Sequence, residues 1–65
     1  MKGFDKFKPI TIGGYPCQFS HVVLEDAYPL KGYALINKEQ KKMEWDENGK
    51  FDKRVERHMF DLEPK

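Results

Sequence analysis

The sequence predicts a small all-β fold, and three observations predict it. Two glycine-bearing pairs with hairpin-turn chemistry, Gly13-Gly14 and Asn48-Gly49, divide the chain. Between and around them, apolar and polar residues alternate with the period of two that marks half-buried strands. Nine aromatics in 65 residues supply enough buried area for a short chain to close a core without disulfide or metal. Five or six short strands joined by tight turns are too few for two full sheets. The economical solutions are one strongly bent sheet or a small barrel of the SH3-like kind, and closure also removes exposed edges.

Taken in order, residues 1–8 mix Lys, Gly and Phe without a period and read as an N-terminal arm, leaving 9–65 as the single domain. Ile10-Thr11-Ile12 is β-branched and runs into Gly13-Gly14, whose backbone freedom suits a hairpin turn. The returning strand, Tyr15 to Val23, puts Tyr15, Cys17, Phe19 and His21 on one face, expected to be the core face. Pro16 lacks a donor and belongs at a strand start or edge. Leu24 to Lys31, with Tyr28-Pro29, reads as a loop.

Gly32 to Asn37 is the next strand, Asn37 to Gln40 a polar turn, and Lys41 to Asp46 a strand with Met43 and Trp45 on one face and Lys42, Glu44 and Asp46 on the other. Both residues of Asn48-Gly49 tolerate the left-handed region that a two-residue type I′ turn demands, so a further strand is expected from Lys50 or Phe51. Asp52 to His58 reads as a charged loop, and the alternation of His58, Phe60 and Leu62 predicts a closing strand ended by Pro64.

Thr11-x-x-Gly14-x-x-Cys17-x-Phe19, Tyr28-Pro29-Leu30, Gly32-Tyr33-Ala34-Leu35-Ile36, Trp45-x-x-Asn48-Gly49-Lys50 and His58-x-x-Asp61-Leu62 together resemble short uncharacterised proteins encoded by phages and prophages. The likeness runs from about Thr11 to Leu62. The first turn here is Thr11-Ile12-Gly13-Gly14 where those proteins usually carry a Thr-Arg-Asp-Gly type, and Cys17 stands where they have an aliphatic residue. The resemblance implies a phage-borne accessory protein of small β-barrel type. It assigns no catalytic residue.

Composition narrows function by exclusion. Twelve Lys plus Arg against eleven Asp plus Glu leave a net charge of +1, too little for a general field toward nucleic acid or an anionic membrane. The one cysteine forms no internal disulfide, and no apolar run is long enough for a signal peptide or membrane span, so the expectation is a cytoplasmic chain, in the host cell if phage-encoded. A domain this small has little room for a catalytic cleft and its supporting shell, and the expectation is no enzyme and no cofactor.

Four groups of residues remain as site candidates. Cys17, His21 and His58 are possible zinc ligands but lack a fourth, and read instead as a buried small hydrophobe and two histidines, so no metal site is expected. Glu25 with Asp26, and Glu44 with Asp46, are carboxylate pairs that read as solvated surface. Lys38, Lys41 and Lys42 with Lys50, Lys53, Arg54 and Arg57 form the only basic concentration, interleaved with aromatics, and small barrels bind single strands with such groups, here Lys41, Lys42, Lys50, Lys53, Arg54 and Arg57. Six acidic residues in the same stretch weigh against that reading. Tyr28, Tyr33 and Trp45 are of the types enriched at protein hot spots, although Trp45 and Tyr33 also fit core positions. The leading expectation is a non-enzymatic module that binds a host or phage protein. A nucleic-acid-binding barrel and a structural homo-oligomer are the alternatives.

Overall fold

A computed structural model describes residues 3–65. Met1 and Lys2, the start of the expected arm, lie outside the described residues. The described residues form five strands and no helix: β1 (Phe7–Thr11), β2 (Cys17–Val22), β3 (Leu30–Ile36), β4 (Glu39–Trp45) and β5 (Leu62–Pro64). They make two antiparallel sheets, one of β1 and β5 and one in the order β2-β3-β4. The core between them is Phe4, Phe7, Leu30, Ala34, Met43, Trp45 and Leu62, with Tyr15, Phe19, Phe51 and Phe60 packed against it. Phe4 stacks on Phe19 with ring centroids 4.1 Å apart, and Phe19 meets Trp45 edge-on.

The first strand begins at Phe7, three residues before the sequence reading placed it. Phe4 and Phe7, 3% and 6% exposed, bind residues 3–8 to the core because these rings have large apolar areas to bury. The expected β1–β2 turn forms: Gly14 sits at φ 91°, its N–H donates to the Thr11 carbonyl, and the Thr11 N–H donates to Tyr15. Thr11 is fully buried, and its Oγ1 accepts the Tyr15 N–H at 3.1 Å.

β2 departs from strict alternation. Its pairing with β3 slips between Phe19 and His21, a bulge at Ser20. One extra residue inverts the parity beyond it, so Val22 turns inward and His21, expected in the core, is exposed.

β3 and β4 pair without a break from Leu30↔Trp45 to Ile36↔Glu39. Only Asn37 and Lys38 connect them, both at positive φ, 51° and 68°, the signature of a type I′ turn. The Asn37 to Gln40 turn of the sequence reading is thus tighter than expected. Its strand partners each start two residues early.

The Asn48-Gly49 turn is present in a different form. Gly49 is left-handed at φ 79° while Asn48 is not, and the Gly49 N–H donates to the Asp46 carbonyl across a three-residue loop. Asp46, expected on the solvated face, is 4% exposed, and its Oδ1 accepts the N–H groups of Asn48 and Lys50. No strand follows. Side chains capture the backbone that a strand would need: Asp61 accepts the N–H groups of Phe51 and His58, and Asp52 accepts that of Arg54. Residues 51–61 are accordingly bends and turns, which includes the loop expected over 52–58, and the closing strand starts at Leu62 instead of His58.

Candidate functional site

Small residues on β3 decide which large ones face out. Leu30, Gly32 and Ala34 point inward, where Gly32 and Ala34 leave room for Trp45 and the aromatic core. Lys31, Tyr33 and Leu35 therefore stand on the opposite face. Tyr33 is 38% and Leu35 45% exposed, both on the central strand of the sheet. Register puts Gln18 and Lys42 on either side of Tyr33, and Gln40 beside Leu35. A shallow hollow lies on each flank of Tyr33: one walled by Ser20, His21, Lys31 and Lys42, the other by Pro16, Gln18, Leu35 and Gln40. Gln40 Nε2 donates to Gln18 Oε1 at 3.4 Å across β3.

The charges at this face are partly committed. Lys31 Nζ is 2.9 Å from both Asp26 and Glu44, and those hydrogen bonds, that to Asp26 first, hold its ammonium above the ordinary lysine range. Asp26 is correspondingly lowered, chiefly by the Tyr28 N–H and then by Lys31. Among the described residues, Lys42 has no carboxylate within ion-pair distance.

Of the three hot-spot candidates, only Tyr33 presents itself to solvent on this face. Trp45 is fully buried and its Nε1–H donates to the Phe60 carbonyl at 2.8 Å, which makes it a core residue. Tyr28 is half-buried: its hydroxyl accepts the Lys53 N–H at 3.1 Å, and the Lys53 ammonium lies 5.5 Å from its ring centre. It clasps the 23–29 loop to the 51–61 loop. Leu35 escaped the sequence reading. The signal was the alternation of small Gly32 and Ala34 with large Tyr33 and Leu35.

The basic candidates do not assemble into a groove. Lys41 pairs with Glu39, Arg54 with Asp52, and Lys50 donates to the Glu56 carbonyl. Asp52 is held down to about 2, first by its side-chain hydrogen bond from Arg54. Lys53 is drawn over Tyr28, leaving Lys42 on the sheet face and Arg57 in the loop.

The Cys17, His21 and His58 set is also dispersed. His21 turns outward beyond the bulge and its Nδ1 meets Ser20 Oγ, while His58 packs on Phe51 and accepts the Phe60 N–H. Burial pushes the Cys17 thiol up to about 11, so it is a protonated thiol at neutral pH and a poor nucleophile. Among the described residues no three His, Cys, Asp or Glu side chains gather as a metal site. The carboxylate pairs are split as well: Asp26 and Glu44 both serve Lys31, and Asp46 is a buried turn cap. No helix of the described residues is long and apolar enough to cross a membrane. The chain matches no protein-family model, no curated protein and no solved structure.

Proposed function

We propose that this chain is a non-enzymatic binding module that engages a protein partner through the outward face of β2-β3-β4, with Tyr33 and Leu35 as its apolar anchors. The exposure of two large apolar side chains on the central strand of that face carries the reading, because the solvated face of an antiparallel sheet is ordinarily polar there. Lys42, Gln18 and Gln40 supply a polar rim. The same proposal makes it a phage-borne accessory protein acting in the cytoplasm, as the sequence resemblance implies.

We also infer that the two sheets close as an SH3-like barrel. Hydrogen bonds that leave the named sheets support this: Ile10 bridges Pro16 between β1 and β2, and the Leu62 N–H donates to the Gly49 carbonyl, joining β5 to the turn after β4.

The test is capture by the immobilised domain, repeated with Tyr33→Ala combined with Leu35→Ser. A specific protein that is retained by the natural sequence and lost with the double variant, at an unchanged melting temperature, is the expected result. Capture indifferent to the double variant overturns the choice of face. Salt-sensitive oligonucleotide binding abolished by Lys42→Glu overturns the choice of partner, since neutralised phosphates release counterions whereas an aromatic-centred protein interface responds to salt only mildly. A stable multimer that captures nothing favours a structural component.

A further inference from the structure

We draw no further inference here: the strongest candidate, the open hollow beside the exposed Leu24 at the β2–β3 loop, walled by Gly3, Lys6, Val22 and Glu47, is an unpartnered surface and nothing in the structure shows what covers it.

Discussion

Gly49 and Gly14 hold the same kind of position, left-handed at the end of a three-residue turn, yet substitution should separate them. A Cβ on Gly14 would meet nothing within 4 Å, so Gly14→Ala incurs only backbone strain, about 1 kcal/mol. A Cβ on Gly49 would lie 2.6 Å from Cε1 of Phe7, a buried ring with no room to retreat. Strain and overpacking then add, and Gly49→Ala should cost about 3 kcal/mol. Urea unfolding of the two variants checks the difference, and equal losses would refute the assigned contact. Lys38 poses the converse case, a residue with a Cβ held at φ 68° in a two-residue turn. Lys38→Gly should stabilise by about 0.5–1 kcal/mol, relief of the left-handed strain outweighing the added freedom of the unfolded chain. A lower urea midpoint for Lys38→Gly would contradict this.

Among the elements, the loops answer to acid. The carboxyls of Asp26 and Asp52 are both held below their ordinary value of 3.8, Asp52 at about 2. A carboxylate whose folded pKa is depressed lends stability above its unfolded pKa and loses it as pH falls toward the folded one. The melting temperature should therefore hold steady from pH 7 to 5 and decline from about pH 4 toward 2, with a shallower decline in Asp52→Asn. Asp26 is exposed and Asp52 only partly buried, so added salt should mute the effect. An Asp52→Asn curve that superimposes on the natural one would remove Asp52 from the account. The strands were legible in the sequence wherever a local pattern was sufficient: β3 and β4 follow from alternation, and both glycine turns from composition. The stretch from Phe51 to Asp61 was not, because its path is set by Asp61, whose carboxylate reaches Phe51 ten residues away. The Ser20 bulge was equally silent, as nothing in Phe19-Ser20-His21 announces an unpaired residue. At the candidate face, Tyr33 and Lys42 could be found from the sequence, whereas telling Trp45 as core from Tyr33 as surface required the packing, since both fit core positions by alternation.

At the scale of the molecule, stability rests on one core shared by both sheets, and Trp45 is at its centre. As the only tryptophan and fully buried, it should emit at short wavelength in the folded state and shift red on unfolding. Its transition should coincide with that of far-ultraviolet circular dichroism, as expected for a small two-state domain. Separated transitions would show that the β1–β5 pair and the three-stranded sheet melt independently, contrary to a common core. The segment at Asp61-Leu62 bears on this most directly. The Asp61 carbonyl accepts the Ile12 N–H, and the Leu62 N–H reaches Gly49, so two adjacent residues fasten both glycine turns. Since β5 also pairs with β1, the sheet partner of the first strand lies more than fifty positions along the chain. The β2-β3-β4 meander can form from near neighbours, but loop-closure entropy must be met before Phe7–Thr11 is held. Emerging from a ribosome, the chain would carry Phe7 without its β5 partner until that strand was clear of the exit tunnel, and that interval is when it is most open to aggregation or to a chaperone.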